Sequence, residues 1–158
     1  MTNKKHVLKQ LKGDWTSARI VVKYKAGALN EVSISTHTEA YKMIISVWDK
    51  ELINIQEQVM AFFLNRRNRL IGYRLICLGT SHQCLIDVKF IASLALHTMA
   101  STVIIAHNHP SGGTKPSTAD KIITERIKAS LELIDVKLIE HIIITEDGYY
   151  SFADEGEL

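Results

Sequence analysis

The chain has 158 residues, about one domain's worth, of which 46% are hydrophobic and 23% charged. That balance supports a sizeable core and excludes a globally disordered chain. A net charge of +2 is close to neutral and gives no independent sign of nucleic acid or an anionic membrane surface as a partner.

Residues 1–35 read as a lead-in with short strands packed on the domain: a β-like run at 18–24, a turn at Gly27 and a second run at 31–35. The domain proper is expected over 36–158. Thr36 or Thr38 caps a helix carrying Ala40, Met43, Ile44 and Val47, which continues, or breaks and restarts, towards Gln58. Two apolar runs, 59–64 and 70–78, predict paired strands with an exposed turn at 65–68, and Gly79-Thr80-Ser81 breaks the second. Residues 86–100 read as a helix with Asp87 at its N-cap and Phe90, Ile91, Leu94, Ala95 and Thr98 on one side. The β-branched run at 102–106 predicts a buried strand. A helix at 119–134 then turns Ile122, Ile123, Ile127, Leu131 and Ile134 inward, and strands follow at 136–145 and 149–152. Alternating strands and helices predict an α/β fold, a mixed β-sheet flanked by helices.

Cys77 and Cys84 lie seven apart without C-x-x-C spacing, which predicts reduced thiols in a cytoplasmic protein. The opening MTNKKHVLKQLKGDW has charges but no apolar run behind them, so it does not read as a secretory signal. No window approaches the roughly 18 apolar residues of a membrane span, so no membrane partner is expected.

The chemistry concentrates in 106–120, AHNHPSGGTKPSTAD. His107 and His109 stand at the end of the buried strand, two apart on one face and roughly 7 Å apart if the chain is extended. Asp120 falls in the first turn of the next helix, and the glycine-containing loop is long enough to bring its carboxylate back over the strand end. Two histidines and a carboxylate leave a fourth position for water, the pattern of a catalytic rather than a structural zinc. The S-x-x-D spacing of Ser117 and Asp120 equally suits a helix capping box, which needs no metal. The contiguous His-Asn-His is not the nuclease motif of that name, whose residues lie far apart. The Cys/His zinc deaminases are excluded because no P-C-x-x-C follows. Asn108 points away from the ligands and is expected to fix the loop. His141, in an apolar strand, reads as a satisfied core histidine. His82 and His97 have no motif support, and 66–69 reads as a solvated hairpin turn rather than a phosphate contact.

H-x-H-P-x6-S-x2-D resembles the signature of the JAMM (JAB/MPN) metalloprotease-like family, and AHNHPSG followed by PSTAD is similar to its bacterial RadC-like branch. The likeness extends over about 55–158, through LNRRNRLI at 64–71, GT at 79–80 and the tail DVKLIEHIII…YYSFADEGEL. It implies the JAB/MPN, cytidine-deaminase-like architecture, and a zinc held by His107, His109 and Asp120. Glu57, in IQEQVMAFFLN, matches the family's catalytic glutamate, and Ser117 matches the serine that steadies the tetrahedral intermediate. In that scheme zinc lowers the pKa of water, Glu57 takes the proton, and Ser117 donates a hydrogen bond to the developing oxyanion. Two departures stand out. Ile86-Asp87-Val88-Lys89 replaces the Pro-Arg-Glu often found there, and the segment before Ile55 is too short and strand-like for the helix-hairpin-helix of longer relatives. The expected function is zinc-dependent hydrolysis of a peptide or isopeptide-like bond in an unknown protein or peptide substrate. The rival is a non-catalytic accessory factor of the same fold associated with DNA repair or recombination.

Overall fold

The computed structural model describes residues 33–81 and 83–158. The expected strand at 18–24, the Gly27 turn and His82 lie outside the described residues. Of the expected run at 31–35 only the end is described, where Ser33 forms an isolated antiparallel bridge with Arg69. Helix α1 (His37–Val47) starts at Thr36, whose hydroxyl accepts from the Glu39 amide while the Glu39 carboxylate accepts from the Thr36 amide. This reciprocal pair occupies two of the orphan donors at the helix start and selects Thr36 over Thr38 as the cap. The helix breaks at Trp48 and restarts as one 3-10 turn, Lys50–Leu52.

The remaining elements follow the predicted order: β1 (Gln58–Leu64), β2 (Leu70–Leu78), α2 (Val88–Thr98), β3 (Thr102–Asn108), α3 (Thr118–Glu132), β4 (Lys137–Ile144) and β5 (Tyr149–Ser151). They build one mixed sheet in the order β2-β1-β3-β4-β5, antiparallel at every pairing except the parallel β3–β4 pair, whose crossover is α3. The described part is therefore an α/β fold, as expected. Every residue of β1 is buried, because helices cover both faces of the central strands.

Side-chain alternation divides the core. Met60, Phe62 and Leu64 face α1 with Ile104, Ala106, Ile142 and Ile144. Val59, Ala61 and Phe63 face α2 and α3 with Val103, Ile105, Ile91 and Ile127. The period of two therefore sends His107 to the α3 side and Asn108 to the α1 side.

Two expectations need correction. Ile122 is exposed rather than inward, because the buried phase of α3 runs through Thr124, Ile127 and Leu131. Ile122 lies off that stripe, and a polar threonine occupies a core position in its place. The expected reduced thiols are instead joined as a disulfide, Cys77–Cys84. The chain reverses after β2, with the Thr80 amide donating to the Gln83 carbonyl, and this returns Cys84 to within 6.1 Å of Cys77 between Cα atoms. That separation is in the range a disulfide spans. None of the described helices is long and apolar enough to cross a membrane.

Candidate metal centre

The site lies where β3 ends and α3 begins. β3 runs two residues past the predicted apolar stretch, so His107 is a strand residue, 2% exposed, at the floor of the site. His109 stands just beyond the strand, with its amide still donating to the Ile144 carbonyl of β4. The chain then turns, the Gly112 amide donating to the His109 carbonyl, with Gly112 at φ +82°, a conformation costly for a residue with a side chain. This turn places the Gly113 carbonyl 2.7 Å from His109 Nδ1. A carbonyl only accepts, so Nδ1 carries a proton and it is Nε2 of His109 that faces the site.

Asp120 arrives from the other side as the third residue of α3. Ser117 is the N-cap: its hydroxyl accepts from the Asp120 amide, and its own amide donates to Asp120 Oδ2 at 2.7 Å. The Ser117 hydroxyl proton also goes to Oδ2, at 2.6 Å. The capping box is thus present, and it aims the aspartate at the histidines. The structure places Ser117 on the aspartate, with its single proton engaged there.

Two imidazole nitrogens and the two oxygens of one carboxylate converge, and one ligand atom from each of the three side chains lies within 4.8 Å of the others. His107 Nε2 and His109 Nε2 are 3.0 Å apart, His107 Nε2 and Asp120 Oδ1 3.3 Å, and His109 Nε2 and Asp120 Oδ2 3.4 Å. A tetrahedron with zinc-like arms of about 2.0–2.1 Å has edges of about 3.3–3.4 Å, so each histidine stands near such an edge from one or other carboxylate oxygen and the group is compact enough to hold one small cation. Burial alone would raise the Asp120 pKa, but the His107 and His109 imidazoles and the Ser117 hydroxyl hold it well below the carboxylate range. His109 is raised, chiefly by its hydrogen bond to Asp120. Both shifts mark a carboxylate held ionised in a pocket that favours positive charge beside it.

Glu57 immediately precedes β1. Its amide donates to the Thr80 carbonyl and its carbonyl accepts from the Gly79 amide, which extends the β1–β2 ladder by one step. A Cβ on Gly79 would collide with the Gln83 carbonyl, so only glycine allows the chain to fold so tightly here. Glu57, His109, Ser117 and Asp120 line one cleft of about 400 Å³, walled by Ser81 and Gln83 of the disulfide-closed loop and by Leu85 and Ile86 just after it. The half-buried Glu57 has its pKa raised by burial, opposed by His107 and reinforced by Asp120.

Asn108 fastens this arrangement from the opposite face of the sheet. Fully buried, it accepts from the Gln58 amide at 2.7 Å and donates to the carbonyls of Ile53 and Gln56 at 2.7 and 2.9 Å. The segment bearing Glu57 is thereby tied to the strand bearing His107. His141 is indeed a satisfied core histidine, but its partner is a member of the site: its Nε2 lies 2.8 Å from His107 Nδ1 and its Nδ1 2.6 Å from Thr124 Oγ1. Its only sequence signal is a histidine inside the apolar run LIEHIII, and Thr124 has none. His97 sits on α2 and is not among the grouped ligands, which are His107, His109 and Asp120.

Comparison with known proteins places this geometry. A family model described as the RadC-like JAB domain matches residues 34–157. The chain belongs to the RadC-like JAB domain family. A UPF0758 protein of Flavobacterium johnsoniae is 44% identical over 100 residues, covering 63% of this chain and 44% of its own length. Others, from Streptococcus equi subsp. zooepidemicus and Thermotoga maritima, are 36% identical over 131 residues and 37% over 110. They cover 83% and 69% of this chain and 56% and 50% of their own. The chain thus spans about half the length of the curated relatives it matches. The RadC-like JAB domain here carries a His-His-Asp group able to hold a metal ion.

Proposed function

We propose that the domain is a zinc-dependent hydrolase of peptide or isopeptide-like bonds, with His107, His109 and Asp120 as ligands and Glu57 as general base and acid. The observation that carries this reading is the convergence of three ligand side chains, with contacts of 3.0–3.4 Å between the two imidazole nitrogens and the carboxylate oxygens, in a cleft that Glu57 also lines. Three protein ligands with room for a fourth are the donor set of catalytic zinc, which supplies Lewis acidity and brings the pKa of water to about 7. Half-burial and the raised pKa suit Glu57 to take a proton from water in the cleft and return it to a leaving amine. Ser117, which holds Asp120 Oδ2, acts in this reading first through the aspartate's orientation, and reaches an oxyanion only by releasing that bond.

The test incubates zinc-loaded wild type and Glu57→Gln with a synthetic peptide library and a set of lysine-linked isopeptides, and reads new amino termini by mass spectrometry. The proposal expects cleavage by wild type, none by Glu57→Gln, and equal zinc content in both. Cleavage that persists in Glu57→Gln, or no new termini from wild type, refutes it.

A further inference from the structure

One buried chain of hydrogen bonds joins the strand ligand to the helix that carries the aspartate. Its direction can be read from its end. The Asp120 main-chain carbonyl can only accept, so Thr124 Oγ1, 2.6 Å away, spends its one proton there. Thr124 Oγ1 must then accept from His141 Nδ1, at 2.6 Å. His141 is wholly buried, and its ring partners are Thr124, His107 and the stacked ring of Phe152, with no carboxylate among them. A cation there would be unpaired in an apolar interior, so the ring is neutral and its Nε2 carries a lone pair. His141 Nε2 therefore accepts from His107 Nδ1 at 2.8 Å. That leaves the Nε2 lone pair of His107 turned towards His109 and Asp120.

We propose that His141 and Thr124 are positioning residues of the metal centre, which lock His107 in the one tautomer able to bind a divalent cation through Nε2. The opposite tautomer would place a proton between His107 and His109, at the point where the cation belongs. The lock also couples the ligands, since the same threonine holds the first turn of α3, where Asp120 sits. His109 receives the equivalent restraint from the Gly113 carbonyl. Ligating histidines held in this way bind metal about 10–100-fold more tightly than when the outer partner is removed.

This inference rests on the proposed metal site, and its test keeps the two apart. Zinc affinity is measured by chelator competition for wild type, His141→Phe, His141→Gln and Thr124→Val, alongside thermal unfolding of the metal-free proteins. Phenylalanine keeps the ring stack on Phe152 but offers no acceptor, whereas the glutamine amide oxygen can stand where Nε2 stands. The expected result is a 10–100-fold loss for His141→Phe, about tenfold for Thr124→Val, and no more than about threefold for His141→Gln. Nitrogen-15 NMR of the histidine rings supplies a readout independent of activity and of any variant's folding. His141 should be the Nδ1–H tautomer with or without zinc, and zinc-loaded His107 should keep its proton on Nδ1. Wild-type zinc affinity in His141→Phe, equal losses in the Phe and Gln variants, or an Nε2–H tautomer of His141 overturns the inference while leaving the proposed function standing. A wild type that takes up no zinc removes both.

Discussion

Asn108 is the side chain through which the fold should most directly hold Glu57 against the metal ligands. Replacing it by alanine deletes three hydrogen bonds at 2.7–2.9 Å and leaves the Gln58 amide and two carbonyls without that partner, two of the bonds being buried and the one to Gln56 part-buried. An orphaned buried donor or acceptor costs about 1–3 kcal/mol, a carbonyl towards the lower end because its second lone pair is available elsewhere. Together with the small void, the expected loss is about 3–5 kcal/mol, a large share of the stability typical of a domain this size. Urea unfolding followed by circular dichroism would register it as a lowered midpoint at unchanged slope. Asn108→Asp should do no better at neutral pH, because a carboxylate would then face the carbonyls of Ile53 and Gln56. The metal ligands are untouched, so zinc affinity of the folded fraction should stay within a few-fold of wild type while Glu57-dependent turnover falls. A loss under about 1 kcal/mol would refute the view that this latch sets the Glu57 segment.

Other consequences are equally specific. Glu140 is buried on β4 with its pKa raised above the ordinary 4.5, chiefly by burial and despite bonds from Ser151 and the Ala153 amide. The folded state therefore holds its proton more tightly than the unfolded one. Stability from this group is complete below about pH 4.5 and is lost as pH rises through the folded pKa. Glu140→Gln should gain on wild type as pH rises from 4 to 8 in paired denaturant titrations, and a constant difference would count against the assignment. Gly79→Ala should destabilise the fold by about 1–3 kcal/mol, because the added methyl meets the Gln83 carbonyl in a turn already closed by the Thr80–Gln83 hydrogen bond. A thermal midpoint within 1 °C of wild type would contradict that reading.

What the sequence made legible follows from locality. The period-two and period-3.6 patterns located the described strands, α2 and α3 to within about two residues but left the end of α1 open towards Gln58, and the S-x-x-D spacing announced a cap that is also part of the site. His107, His109 and Asp120 were readable because one short loop joins them. The longer-range partners were not. Thr124 is a polar residue in a core phase that Ile122 was expected to share, and helical spacing alone does not distinguish the two. His141 meets His107 only through the parallel pairing of β3 and β4, and a span of 34 residues leaves no local trace. The Cys77–Cys84 bond depends on the reversal of the chain after β2, which residue spacing did not disclose. Geometry also refined the H-x-H expectation. Full extension would keep the two histidines roughly 7 Å apart, whereas leaving the strand after Asn108 brings their Nε2 atoms to 3.0 Å.

The central claim, that these three side chains form a metal centre, is tested most directly by metal content. Wild type, His107→Ala and Asp120→Ala would be purified without chelators, equilibrated with zinc, desalted and measured by mass spectrometry, with circular dichroism confirming the fold. The account predicts close to one zinc per wild-type chain and far less in either folded variant. Wild type without stoichiometric metal, or variants that keep it, would contradict it.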